Sequence, residues 1–133
     1  MFDDIEFLQA NPSARIKSIK GSFDDSFQGL VVKYDVDGEE VSGEPHFSSD
    51  AESGTYSILE LAEDDFITYI SGRAGAVIHR LFMKTDKGKQ FRWGKGTKDI
   101  GNEFEFNIGK DERVLGFHGG LNDKIHNIGI YCL

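Results

Sequence analysis

Within the stretch Val114 to Tyr131, VLGFHGGLNDKIHNIGIY, a glycine-rich tip carries Asn122, Asp123, Lys124 and His126 between two apolar runs. An amide, a carboxylate, an ammonium and an imidazole on one short turn make a hydrogen-bonding surface. The carboxylate can accept two neighbouring protons in charge-assisted bonds, while the other groups donate or accept singly. Acidic residues recur at another such tip, Asp24-Asp25, and a third tip reads Arg73-Ala74-Gly75-Ala76-Val77. No nucleophile stands with a matching base and acid, and no phosphate-cradling glycine loop is present, so these residues fit recognition and no enzyme is expected. Zinc held between His79 and His126 would need a further ligand and the close approach of two separate loops. Both histidines are therefore read as polar residues on outer strand faces, with no metal and no cofactor.

Short runs of alternating apolar residues place these tips on strands. Ile16 to Ile19, Leu30 to Tyr34, Ile58 to Leu61 and Phe104 to Ile108 all have strand character, and no segment shows a helical stripe. Turns fall at Asp35-Val36-Asp37-Gly38, Asp86-Lys87-Gly88 and Gly109-Lys110-Asp111. The first of these lacks the later ligands of a calcium loop and reads as a hairpin turn.

A threefold internal repeat organises the strands. Superposing Gly21, Gly72 and Gly119 aligns Ile16 to Tyr34, Ile67 to Thr85 and Val114 to Cys132 without a gap. Apolar residues then coincide at five offsets: Ile16/Ile67/Val114, Ile19/Ile70/Phe117, Phe27/Ile78/Ile125, Leu30/Leu81/Ile128 and Val32/Met83/Ile130. Each unit reads as strand, loop, strand, and a hairpin alone buries its apolar face against nothing. Glu39 to Ser42 with Ser57 to Leu61, and Gln90 to Trp93 with Glu103 to Ile108, supply further hairpins, and Phe2 to Leu8 supplies the third partner. The expected fold is all-β: one domain over residues 1–133, a β-prism of three four-stranded antiparallel sheets with pseudo-threefold symmetry. Trp93 and the phenylalanines should fill its core. Cys132, at the repeat position of Tyr34 and Thr85, should be a partly buried thiol.

Charge narrows the partners. Fifteen basic against 23 acidic residues give −8, with a pI near 4.9, which favours neither nucleic acid nor an anionic bilayer. No apolar run is long enough to span a membrane, and the acidic start Met1-Phe2-Asp3-Asp4-Ile5-Glu6 does not read as a signal peptide. The expected location is cytoplasmic, or extracellular by a non-classical route. A single cysteine permits no internal disulfide.

The chain resembles the jacalin-related lectins. The residues that carry this are Phe2-Asp3-Asp4, Val31-Val32-Lys33-Tyr34, Ile67-Thr68-Tyr69-Ile70-Ser71-Gly72, Leu81 to Gly88, Trp93-Gly94 with Gly96-Thr97, Gly116-Phe117-His118-Gly119 and Ile128-Gly129, in order along nearly the whole chain. The resemblance implies a β-prism I and metal-independent, non-catalytic binding of a mono- or oligosaccharide at the hairpin tips. It implies that the last tip holds the sugar through a Gly-x-x-x-Asp motif, helped by the amino-terminal segment and the middle loop. In this chain the motif positions are Asn122 and His126, so the binding residues implied are Asn122, Asp123, Lys124 and His126, with Arg73 and Ala74 from the middle loop. Asp25 marks a second-site candidate on the first tip, and useful avidity would call for two tips or a homo-oligomer. The alternative is a β-prism that has lost sugar binding and acts in protein–protein interaction or as a structural domain. It is favoured by Gln28, His79 and His126 standing at the three aspartate-equivalent positions.

Overall fold

A computed structural model describes residues 2–23, 27–43, 45–46, 55–75, 77–94, 101–109, 112–121 and 125–132; of the side chains of Phe2, Leu121, Ile125, His126 and Asn127 nothing is described. The strands are β1 (Phe2–Asp3), β2 (Arg15–Phe23), β3 (Phe27–Val36), β4 (Glu39–Ser42), β5 (Thr55–Glu60), β6 (Ile67–Ala74), β7 (Ile78–Thr85), β8 (Gln90–Trp93), β9 (Asn102–Asn107), β10 (Val114–Leu121) and β11 (Ile125–Cys132), with one helix α1 (Ile5–Ala10). They form three antiparallel sheets ordered β4-β3-β2-β5, β8-β7-β6-β9 and β1-β10-β11. The strands β3, β7 and β11 touch one another pairwise, and the fold is the expected β-prism.

The repeat seen in the sequence is a repeat of backbone geometry. Gly21 faces Leu30, Gly72 faces Leu81 and Gly119 faces Ile128. Each hairpin carries a register shift in its first strand, beside Lys17, Thr68 and Leu115. A second shift precedes each tip, after which Phe23 pairs with Phe27, Ala74 with Ile78 and Leu121 with Ile125, leaving three residues at every tip. Such bulges bend a strand and increase its local twist, as a curved three-sided core needs. Of the fifteen repeat positions, twelve are fully buried, and Ile128 and Ile130 pack half-buried against them. The fifteenth, Ile125, lies outside the described side chains.

Three expectations are corrected. First, β4 and β5 do not form a hairpin with each other, and neither do β8 and β9; each pair flanks its central hairpin on opposite edges. The reason is local: Asp37 and Gly38 adopt φ of 53° and 90°, a tight turn that folds β4 directly back on β3 and leaves only the edge of β2 for β5. The Asp35 carboxyl accepts the Gly38 N–H at 2.9 Å, which confirms the hairpin turn. Second, the segment from Phe2 to Leu8 is a strand for two residues only, and then becomes α1, so among the described residues the third sheet has three strands. Leu8 caps the prism there, its Cδ1 placed 2.8 Å from where a Cβ of Gly116 would be, so only glycine admits the helix so close. Third, Cys132 is exposed, whereas its repeat counterparts Tyr34 and Thr85 are buried.

Trp93 is fully buried as expected, with its indole N–H donating to the Ser57 carbonyl at 3.1 Å across to the first sheet. Its ring rests on Gly21, where an added Cβ would stand 2.5 Å away. Gly72 is equally confined, since a Cβ there would run into the Arg80 carbonyl oxygen and lie 2.7 Å from the Phe104 ring. Gly72→Ala should therefore lower stability by about 1–3 kcal/mol, the usual cost of overpacking. Gly75→Ala, whose Cβ would meet His79 at 3.5 Å and the Gly101 Cα at 3.8 Å, both ordinary contacts, should stay within about 0.5 kcal/mol of the parent. Urea denaturation midpoints at constant slope measure both.

Candidate functional site

The last hairpin is the centre of the third sheet, because β10 pairs on one side with β11 and on the other with β1. Gly119 lies between Phe2 and Ile128, and His118 between Asp3 and Gly129. The start of the chain thus runs antiparallel beside the last turn of β10, two residues from its described end. Of the residues expected to bind, Asn122, Asp123, Lys124 and Asp25 lie outside the described residues. His126 belongs to β11, and its side chain lies outside them too.

Arg73 and Ala74 close β6 at the middle tip, where the Gly75 N–H donates to the Val77 carbonyl at 2.9 Å. The Arg73 guanidinium turns toward β9, donating to the Gly101 carbonyl at 2.9 Å and lying 4.0 Å from the Glu103 carboxylate. His79 is half-buried at the same tip and packs against Gly75 and Gly101.

Beside β10, Asp3, His118 and Tyr131 form a polar cluster that sequence reasoning did not single out. The Tyr131 phenol donates to Asp3 at 2.7 Å, the Ile5 N–H donates to the same oxygen at 2.9 Å, and the His118 ring lies 4.9 Å from that of Tyr131. His118 lies over Gly129, where any Cβ would strike the imidazole. The Tyr131 hydrogen bond, then that of Ile5, holds the Asp3 carboxyl below the usual range, and the same phenol–carboxylate bond pushes Tyr131 upward.

One residue on, Asp4 turns inward. Its carboxyl receives the His46 Nε2 at 2.7 Å, the Phe117 N–H at 3.2 Å and the Tyr34 hydroxyl at 3.3 Å, all buried. Burial, with Asp4 alongside, drives the Tyr34 phenol far above its ordinary value, so it remains a donor. The only sequence signal for either aspartate was their place in the run Phe2-Asp3-Asp4.

Three sheets of paired strands about a closed apolar centre define a β-prism, and the hairpin tips are where this architecture presents loops. The family model for the jacalin-like lectin domain matches residues 4–131, and the chain belongs to that family. Solved structures agree. Artocarpin in complex with mannotriose is 28% identical with a TM-score of 0.78, over 89% of this chain and 83% of that one. Frutapin, a lectin from Artocarpus incisa, is 28% identical with a TM-score of 0.74, over 88% and 81%. A galactose-specific lectin from Artocarpus hirsuta, in complex with methyl-α-D-galactose, shares the fold at 24% identity and a TM-score of 0.74, over 88% and 90%. No match is found among curated proteins.

The shift at Asp3 fixes a pH dependence. Its folded value lies below the unfolded one, so its stabilisation is present above about pH 4 and is lost as pH falls through the folded value. Asp3→Asn should be less stable than the parent at neutral pH, and the gap should close as pH falls below about 4. Urea midpoints of the two proteins across an acid series measure it.

Proposed function

We propose that this chain binds carbohydrate without catalysis, at the tip of its last hairpin, through Asn122, Asp123, Lys124 and His126. Arg73 and Ala74 of the middle tip assist, and Asp25 marks a second site on the first. The observation that carries this reading is a family match running to residue 131, and so through the last hairpin, in a chain whose three hairpins share one register and one tip length.

The chemistry differs from a Gly-x-x-x-Asp loop. With histidine at the aspartate-equivalent position, the acceptor in the tip is Asp123, three residues earlier. Its two oxygens can still take neighbouring hydroxyl protons, and the asparagine at position 122 tolerates the left-handed backbone a tight tip calls for. Artocarpin is described with mannotriose, mannopentose and methyl-α-mannose, so mannosides are the first ligands to try. A shallow site holding about a dozen heavy atoms at roughly 0.3 kcal/mol each yields some 4 kcal/mol, or a Kd on the order of 1 mM.

The second reading, a β-prism that has exchanged sugar binding for a protein partner, is favoured by Gln28, His79 and His126 at the aspartate-equivalent positions. A glycan array followed by calorimetric titration separates the two. The expected outcome is binding of a mannose-containing or related saccharide, weakened about tenfold in Asp123→Ala, the loss of roughly one charged hydrogen bond. No binding by any mono- or oligosaccharide at millimolar concentration would sink the lectin reading. Unchanged affinity in both Asp123→Ala and His126→Ala would move the site off this tip.

A further inference from the structure

The three central hairpins are flanked unequally. In the first sheet β4 runs along Lys33 to Val36 and His46 bonds both ways to the Leu30 backbone; in the second, β8 runs along Leu81 to Lys84. In the third, no described strand lies along the corresponding edge of β11, from Ile128 to Tyr131. The consequence is visible in the core. Leu30, Leu81, Val32 and Met83 are buried, whereas their repeat counterparts Ile128 and Ile130 are only half-buried, and Cys132 is exposed where Tyr34 and Thr85 are buried. The backbone follows the same rule. The Leu30 N–H and C=O both point away from β2, to His46, and the Val32 carbonyl accepts the Gly43 N–H at 2.7 Å. By the shared register, the N–H and C=O groups of Ile128 and Ile130 face the open edge of β11.

Edge strands are ordinarily kept from pairing by charge or by shortness. Here β1 has two residues, and each of the other edges carries an ionisable side chain: Glu39 and Glu40 on β4, Glu60 on β5, Arg92 on β8, Glu103 and Glu105 on β9. By contrast β11 is eight residues long, IHNIGIYC, with no Asp, Glu, Lys, Arg or Pro. Two chains of net charge −8 repel over most of their surfaces, and this edge is where they can meet without opposing like charges. We propose that β11 pairs antiparallel with β11 of a second copy of this chain, joining their third sheets into one continuous sheet. One register pairs isoleucine with isoleucine at both positions. With Gly129 opposite Gly129 of the partner subunit, Ile128 meets Ile130 of the partner subunit and Ile130 meets Ile128 of the partner subunit, so the outward backbone groups bond and the half-buried side chains cover one another. The contact is isologous and closes as a dimer. If the last tip binds sugar as proposed above, the pairing sets the two tips at opposite ends of the shared sheet, roughly 26 Å apart along the strands, which suits bridging two glycans.

The test is sedimentation equilibrium of the whole chain without sugar, with and without reductant, between about 5 and about 500 µM. The expected mass rises from 14.9 kDa toward twice that value. Over the same range the amide hydrogens of Ile128 and Ile130 should exchange severalfold more slowly in the concentrated sample. Ile130→Lys, which points a charge into the pairing edge, should weaken self-association at least about tenfold. Ile58→Lys, at an exposed position on the β5 edge, and Asp123→Ala at the last tip should leave it within about twofold of the parent. With no sugar present, failure here is distinct from failure of the tip to bind. Amide exchange in the parent chain carries the same reading if Ile130→Lys does not fold. A chain that stays monomeric throughout, a dimer that disappears when Cys132 is reduced, a dimer whose Ile128 and Ile130 amides exchange unchanged, or one that folded Ile130→Lys retains overturns the proposal.

Discussion

The buried carboxyl of Asp4 is the constraint on which the assembly turns. A carboxyl removed from water is tolerated only with its oxygens satisfied, and leaving such a group unpartnered costs several kcal/mol. Its three donors come from three places: the Phe117 N–H from β10, the Tyr34 hydroxyl from β3, and the His46 imidazole from the segment after β4. His46 is itself tied to the first sheet by a reciprocal backbone pair with Leu30, at 2.8 and 3.2 Å. The start of the chain, the first sheet and the third sheet therefore have to be in place together for the full set of these bonds to be made. Asp3, immediately before, binds outward to Tyr131. The two neighbouring aspartates thus rivet β1 to the last hairpin from both faces.

Around that clasp, three nearly identical hairpins are finished in two different ways. The first and second sheets gain an edge strand on each side, and an aromatic side chain then lies on the repeat glycine: Trp93 on Gly21 and Phe104 on Gly72. In the third sheet α1 covers the end of the prism instead. Gly116 receives Leu8, and Phe7 stacks on Tyr34 at 4.6 Å. The different closures explain why a single repeat position can be buried in two copies and exposed in the third. Tyr34 lies beneath Phe7, while Cys132 is exposed at the end of β11.

Much of this was legible in the sequence because it is written in period and offset. The apolar residues at five fixed distances from Gly21, Gly72 and Gly119 are the core, and Asp37-Gly38 is the turn its residue types specify. What was not legible depends on residues far apart. Six residues, Ile5 to Ala10, are too few to show a helical period, and their apolar members also suit a strand. Strand pairing was misread for β4 with β5 because composition locates strands but does not say which edge remains free. His46 and Asp4 are 42 positions apart with no shared motif, and only the folded chain brings them together. The tip residues were identifiable as a group by alignment to the repeat, since their chemistry lies in side-chain type. Arg73, by contrast, turned toward β9 for reasons set by a neighbouring strand, which no local pattern contains.

The separation between scaffold and tip carries the functional argument. Register, bulges and tip length are the same in all three hairpins, so the scaffold offers three equivalent platforms and does not by itself choose among them. The choice has to come from what is not repeated. The tips read Asp24-Asp25-Ser26, Gly75-Ala76-Val77 and Asn122-Asp123-Lys124, so the first and last carry carboxylates and the middle one has no polar side chain. Only the last hairpin has a strand from the chain's start along its flank, with Asp3, His118 and Tyr131 fixing that edge close to the tip. A small polar ligand is selected by groups that do not move when it binds, because each side chain that must be ordered takes back part of the binding energy. The last tip differs from the other two in combining a carboxylate in its sequence with a flank on which Asp3, Tyr131 and His118 are held together.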